Sequence, residues 1–205
     1  VKDVYGGIID ILMKDQNVSK AIQFTKSMLN DIVEEKFPLD KLIITKSLRA
    51  FYKNPLQIAH KVLADRIGKR DPGNKPGAGD RVPFVYIQTK GKVKLQGDKV
   101  EHPDYIIENK LKPDFTHYIT NQIMKPVQQV FALVLQDIPE YKKKRMSLKI
   151  EERKILRKYK GDETKQQKYI QDYRNKEVKK LIFDDSLRKC ELSKNNQQSI
   201  LSFFG

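Results

Sequence analysis

Apolar residues recur along the first two-thirds of this chain at spacings that switch between helical and strand-like. Val4, Ile8, Ile11 and Leu12 fall on one face and predict a helix over 4–14, broken by the polar stretch 15–17. Ser19 is placed to cap a second helix, whose stripe is Ile22, Thr25, Leu29, Ile32 and Val33 and which Phe37-Pro38 ends. Leu42–Thr45 is short, apolar and β-branched, so it predicts a strand. Asn54-Pro55 predicts a cap with proline in the first helical position, and Ile58, Val62, Leu63 and Ile67 form the stripe that follows, with Gly68 near its end. Residues 71–80 hold three Gly and two Pro, which demands a loop. Residues 81–89 alternate as a strand, and Pro83 marks that strand as an edge. Residues 90–99 predict a basic turn or hairpin, and 103–110 a short helix. Asp114 caps a long helix carrying Ile119, Ile123, Val127, Val130 and Val134, kinked at Pro126. Later apolar positions (Ile150, Ile155, Leu156, Tyr159, Ile170, Tyr173) are scattered and predict helices with modest packing. The expected fold class is mostly α with a small β element, an α+β arrangement.

Composition sharpens this picture. The chain has 205 residues, with 41 Lys and Arg against 26 Asp and Glu, a formal net charge of +15. No apolar run reaches the roughly 18 residues of a membrane span. Val1-Lys2-Asp3 opens the chain with charge and without a signal-peptide pattern. The single cysteine, Cys190, excludes a disulfide framework and a cysteine-rich zinc site. A soluble, basic, intracellular protein with a polyanionic partner is expected, and no membrane partner. The charge is uneven: residues 138–205 hold 19 Lys and Arg against 10 Asp and Glu, a net of +9, and residues 1–137 a net of +6. A boundary near 136–140 follows, giving a domain over 1–137 and a basic helical tail over 138–205. With no Met at position 1, the chain reads as a piece of a longer product.

Catalytic constellations are sparse. His60, His102 and His117 lie far apart without cysteine company, which reads as surface or helix-face histidine. The Gly-rich loop 71–80 lacks the Gly-Lys-Ser/Thr ending of a P-loop. Asp184-Asp185 is the one tempting carboxylate pair, but neighbouring side chains diverge and no third acid accompanies them to share two metal ions. Binding chemistry is richer. Lys61, Arg66, Lys69, Arg70, Lys75 and Arg81 fall within 21 residues, where a helix end leads into a loop whose backbone amides could meet phosphates. An ordinary solvated basic face explains the same residues equally well.

Several segments in one order carry a resemblance. Leu42-Ile-Ile-Thr-Lys-Ser-Leu48, Ala59-His-Lys-Val-Leu-Ala-Asp-Arg-Ile-Gly-Lys-Arg-Asp-Pro-Gly73 and Gly79-Asp-Arg-Val-Pro-Phe-Val-Tyr-Ile87 are followed by His102-Pro-Asp-Tyr105 and Tyr118-Ile-Thr-Asn-Gln-Ile-Met-Lys-Pro126. Together they resemble the thumb of family B DNA polymerases, most closely the eukaryotic delta type and its relatives in large DNA viruses, over residues 1–135. The resemblance implies a thumb that wraps the primer–template duplex behind the polymerase active site. By motif position it implies DNA-backbone contacts at Lys46, Arg66, Arg70, Arg81 and Lys125, and the basic cluster adds Lys69 and Lys75; a motif arginine can equally be a structural ion pair. The family's catalytic aspartates belong to palm motifs of the D-x-x-S-L-Y-P and Y-G-D-T-D-S kind, and neither motif occurs here. The implied catalytic metal, Mg2+, therefore belongs to the palm of the parent enzyme, with no metal or cofactor expected in this chain. Palm, fingers and exonuclease would be partners in the same polymerase. A cellular delta-type enzyme would carry two cysteine clusters after the thumb, so the basic segment here favours a viral origin. The resemblance implies a location wherever DNA is replicated, in a nucleus or a viral replication compartment.

The C-terminus carries a second motif. Gln197-Gln-Ser-Ile200-Leu-Ser-Phe203-Phe204 fits Gln-x-x-aliphatic-x-x-aromatic-aromatic and resembles the box that docks on sliding clamps. In one helical turn Ile200, Phe203 and Phe204 project together, each worth roughly 1.5–3 kcal/mol on full burial, while Gln197 offers an amide. The expected function is a polymerase thumb that grips duplex and tethers the enzyme to its clamp. A stand-alone adaptor between duplex and clamp is the alternative, and a general RNA-binding protein a third class without specific support.

Overall fold

A computed structural model describes residues 2–89 and 94–194. Helix α1 (Lys2–Asp10) runs into a π-helical turn, Ile11–Asp15. Helix α2 (Val18–Val33) begins two residues before the expected start, because Asn17, in extended backbone, accepts from Lys20 N–H at 2.9 Å. The cap is thus Asn17, and Ser19 sits inside the helix. A 3₁₀ turn, Leu39–Leu42, takes up the start of the expected strand, so β1 is Ile44–Ser47. Asn54-Pro55 opens only a 3₁₀ turn, Pro55–Gln57, and α3 (Ala59–Arg70) starts after Ile58. Strand β2 is Arg81–Tyr86 and β3 is Val100–Glu101. Then come α4 (Pro103–Glu108), α5 (Phe115–Tyr118), a π-helical stretch Ile119–Ile123, and α6 (Met124–Leu133). The remaining helices are α7 (Pro139–Lys142), α8 (Arg145–Lys158), α9 (Glu163–Ile182) and α10 (Asp184–Lys194). The fold is mostly α with a small antiparallel sheet, as expected.

Asp114 caps as expected, its Oδ1 accepting from His117 N–H at 3.1 Å. The helical irregularity lies just ahead of Pro126, where the proline ring crowds the preceding turn and offers no N–H.

Contacts divide the chain into two compact units, residues 37–118 and residues up to Lys36 together with those from Ile119 onward. The change of composition near residue 137 falls inside the second of these.

The 37–118 unit is built on the sheet, in the order β1-β2-β3, all antiparallel. Strand β1 pairs Ile44 with Phe84 and Lys46 with Val82, whereas β3 reaches only Val85 and Tyr86. Pro83 therefore lies on the central strand, and the edge expectation fails for the strand as a whole. It survives locally, because β3 does not extend alongside Pro83 and leaves no ladder bond there for the missing N–H to make. Leu63 and Ala64 of α3 pack with Leu48, Val82, Phe84 and Val100 into one core. Gly97 lies so close to α3 that a Cβ there would strike the Val62 side chain. Tyr118 ties the unit together, its hydroxyl donating to Leu42 O at 2.7 Å and accepting from Tyr86 N–H at 3.0 Å. Burial pushes that hydroxyl's pKa up to about 12.

The other unit is a helical assembly in which α1 packs on α2, and α9 packs on α6, α8 and α10. Its fully buried side chains include Ile8, Leu29, Ile119, Val127, Phe131, Ile138, Ile182 and Phe183. The modest packing expected after residue 138 holds at the positions that prompted it, with Ile150 and Leu156 exposed and Ile155, Tyr159, Ile170 and Tyr173 half-buried, while other residues supply a core. Val178, Ile182 and Phe183 are at most 2% exposed, and Tyr141 donates to Glu177 at 3.0 Å. The six scattered positions lie on α8, at its C-terminal cap and in the first two-thirds of α9, whereas the buried residues of α9 are in its last turns.

Candidate nucleic-acid interface

Seven cations stand out in the sequence as DNA contacts: Lys46, Arg66, Lys69, Arg70, Lys75, Arg81 and Lys125. Six lie in the 37–118 unit, and the fold divides them by whether an internal partner holds them. Lys125, exposed on α6, belongs to the other unit.

Arg66 and Arg70 are one turn apart on α3 and both reach the short strand β3. Arg66 donates to Gly97 O at 2.8 Å, Val100 O at 2.9 Å and Glu101 Oε2 at 3.2 Å. Arg70 donates to the same Glu101 oxygen at 2.9 Å and lies 3.6 Å over the Tyr105 ring. Glu101 is 3% exposed, and its other oxygen accepts from His102 N–H. Burial alone would raise the Glu101 pKa; the Arg70 bond, the His102 amide and the two guanidinium charges outweigh it and hold the carboxyl below its ordinary range. Both arginines thus form the structural ion pairs that the sequence left open as one of their roles, while Arg70 stays exposed. Glu101 itself escaped notice in the sequence, where nothing local distinguishes it from the other acidic residues.

The loop 71–80 behaves likewise. Asp71 accepts from Gly73 N–H and from the Asn74 side chain, and Asp80 Oδ2 accepts from Gly77 N–H at 2.7 Å. The amides of Asn74, Gly79 and Asp80 bond to Asp71 O, Leu48 O and Gly77 O. Gly79 has φ +94°, a conformation that strains any residue with a side chain. The expectation of loop amides open to phosphate is corrected: five of them close the loop on itself and onto the end of β1. A cleft of about 880 Å³ beside this loop mixes Arg70, Lys75 and Arg81 with Asp104 and Glu108, so it is no simple anion cradle.

The cations that remain unengaged lie at the sheet edge and the end of α3. Lys46 and Arg81 stand on paired strands, one residue out of register, both exposed. Lys69 is exposed in the last turn of α3. None of the three forms an ion pair among the described residues. Lys75 lies 4.0 Å from Asp65 and is only loosely held. The structure adds Arg49 and Lys53, which flank Phe51, a ring 81% exposed. The signal for these was the basic–aromatic alternation Arg49-Ala50-Phe51-Tyr52-Lys53.

His60 sits behind this loop. Its Nε2 is 3.0 Å from the Tyr52 hydroxyl, which accepts from Arg49 N–H at 2.8 Å. The imidazole stacks near Phe84, with ring centroids 6.4 Å apart. Burial, and then the positive charges of Lys46 and Arg49, depress the His60 pKa below its ordinary value. The two positive charges that add to this depression would also draw an anion.

The model of the family "DNA polymerase family B" matches residues 1–134. The chain belongs to DNA polymerase family B. The chain is similar to the DNA polymerase of Pyramimonas orientalis virus, 48% identical over 212 residues, covering all of this chain and 17% of that protein. It resembles the DNA polymerase of Acanthamoeba polyphaga mimivirus, 50% identical over 140 residues (66% of this chain, 8% of that one). The DNA polymerase delta catalytic subunit of Candida albicans is 35% identical over 135 residues, covering 66% of this chain and 13% of the subunit. The chain thus spans less than a fifth of the length of these relatives. The fold is like that of the family B polymerase from Pyrobaculum calidifontis, with a TM-score of 0.51 at 24% identity, covering 61% of this chain and 16% of that one.

Within this family B chain no group of three or more His, Cys, Asp or Glu is arranged to hold a metal ion among the described residues. Asp184-Asp185 opens α10, where Asp184 pairs with Lys179 at 3.2 Å. Carboxylates in a first turn offset the helix dipole, so a structural role accounts for them. No third ligand joins these two aspartates to hold Mg2+ among the described residues. His102 caps α4 and His117 stacks on Tyr86, with ring centroids 3.5 Å apart. Cys190 is buried. The terminal box with Gln197, Ile200, Phe203 and Phe204 lies outside the described residues.

Proposed function

We propose that this chain is a piece of a DNA-directed DNA polymerase, that residues 1–137 form its thumb, and that the piece holds primer–template duplex and tethers the enzyme to a sliding clamp. The family match over residues 1–134 carries this reading. The parent enzyme would extend a primer from deoxynucleotides by two-metal phosphoryl transfer, with Mg2+ held in the palm, which would pack with fingers and exonuclease around the same duplex. The work takes place wherever DNA is replicated, in a nucleus or a viral replication compartment. The thumb's part is physical. Lys46, Lys69 and Arg81, with Arg49 and Lys53, offer unengaged positive charge to phosphates, which grip without reading sequence. The box 197–204 would supply a three-pronged apolar plug for the clamp.

Anisotropy titrations of the 205-residue chain on duplexes of several sequences test the grip. If about 5–7 phosphates are neutralised, log K against log salt falls with a slope of roughly −5 to −6. The variant Lys46→Glu, Lys69→Glu, Arg81→Glu should weaken binding on all sequences alike. Binding that prefers one sequence and survives high salt would overturn the proposal.

A further inference from the structure

Helix α8 lies beyond the residues matched by the family model, and its charges are sorted by the fold. Its sequence, RMSLKIEERKILRK, holds six cations and two carboxylates. Both carboxylates are engaged internally. Glu152 accepts from Arg174 of α9 at 2.7 Å, and Glu151 from Lys154 at 2.6 Å. Leu148 is buried and Ile155 half-buried on the inward side. Lys149, Arg153 and Arg157 follow at i, i+4 and i+8, all exposed and without an ion pair among the described residues. At 1.5 Å per residue they span about 12 Å within an arc of about 80°. Met146 (69% exposed) lies within the same arc, and Ile150 (45%) and Leu156 (41%) lie about 20° beyond its two edges.

We propose that this outer face of α8 is a second contact for the duplex backbone, made by Lys149, Arg153 and Arg157, with Met146 and Ile150 against the less polar sugar edges. The inference rests on the reading above that the protein holds duplex DNA, and it assigns a separate surface in the other compact unit. Charge complementarity selects the partner. A face with every carboxylate turned away suits a polyanion, and duplex DNA offers one phosphate per roughly 1.7 Å, about seven over 12 Å. An acidic protein partner would need a buried apolar centre of standard interface size, and three exposed apolar side chains dispersed among cations do not supply one.

The test compares salt slopes of the full 205-residue chain on a mixed-sequence duplex. The variant Lys149→Gln, Arg153→Gln, Arg157→Gln removes three phosphate contacts. Its slope should become shallower by about 2.7, so that a fourfold rise in salt costs about 40-fold less affinity than in the parent chain. The charge-keeping variant Lys149→Arg, Arg153→Lys, Arg157→Lys should keep the parent slope, and equal melting temperatures exclude unfolding as the cause. In parallel, Lys46→Gln, Lys69→Gln, Arg81→Gln probes the thumb surface. A change in the thumb variant alone overturns the α8 proposal and leaves the thumb reading standing. A change in the α8 variant alone does the reverse. An unchanged slope in the α8 variant, together with binding of an acidic protein that Met146→Ser, Ile150→Ser abolishes, would hand this face to a protein partner and overturn the proposal.

Discussion

Glu101 accepts from Arg66, from Arg70 and from the backbone of His102, and is itself 3% exposed. Removing its charge leaves two guanidinium groups facing a neutral amide in a low-dielectric site. Glu101→Gln should lower stability by roughly 2–3 kcal/mol, read from chemical denaturation. Its folded pKa is depressed, so its stabilisation is present above the ordinary value of 4.5 and lost as pH falls through the lower folded pKa. The Gln variant should therefore show a shallower acid limb than the parent, the remainder coming from other carboxylates with depressed values such as Glu177. His60 acts at milder pH. Its folded pKa is also lowered, so the unfolded chain binds a proton first as pH falls below 6.5. Stability should be full above pH 6.5 and decline below it. His60→Gln keeps a partner for the Tyr52 hydroxyl and should flatten melting temperature between pH 6.5 and 5; an unchanged slope there would remove His60 as the cause.

Among the elements, α8 and α9 share a basic composition but not a role. The C-terminal half of α9 is core, with Val178 and Ile182 buried and Asn175 O accepting from Gln128 of α6 at 3.0 Å. Helix α8 buries Leu148 alone and exposes most of its length. Amide exchange should be slow over 174–190, comparable to α6, and faster over 145–158. Equally fast exchange across 138–194 would restore the loosely packed tail that periodicity alone predicts. Helix α9 contacts α2, α6, α8 and α10, and a helix with four neighbours needs no continuous stripe to bury part of its length.

Across the whole molecule, net charge of +15 arises from cations spread along the chain, and the fold decides which are available. The proposed clamp contact adds a different kind of force, burial of three apolar prongs. Phe203→Ala with Phe204→Ala should abolish clamp binding and leave duplex affinity at equal salt near the parent value. In a reconstituted polymerase, processivity with the clamp should fall while single-nucleotide incorporation holds, since tethering acts through effective concentration, up to roughly millimolar for a short linker. A lowered melting temperature of the isolated chain with clamp binding intact would instead place the two rings on the protein's own surface.

What the sequence determined by itself was local or ordered along the chain: the helix stripes, the loop at 71–80, the Asp114 cap, the mostly α class, and the family through motifs in one order. The cap at Asn17 rather than Ser19 was within reach, because both residues precede the same stripe and only backbone conformation separates them. The use of each cation was not legible. Arg66 and Arg70 meet Glu101 across 35 and 31 residues of sequence, and no periodicity connects positions so far apart. Only the tertiary structure could sort the basic residues, because a charge is free or spent according to whether a partner is brought within about 3 Å of it, and that distance is set by strand pairing and helix packing.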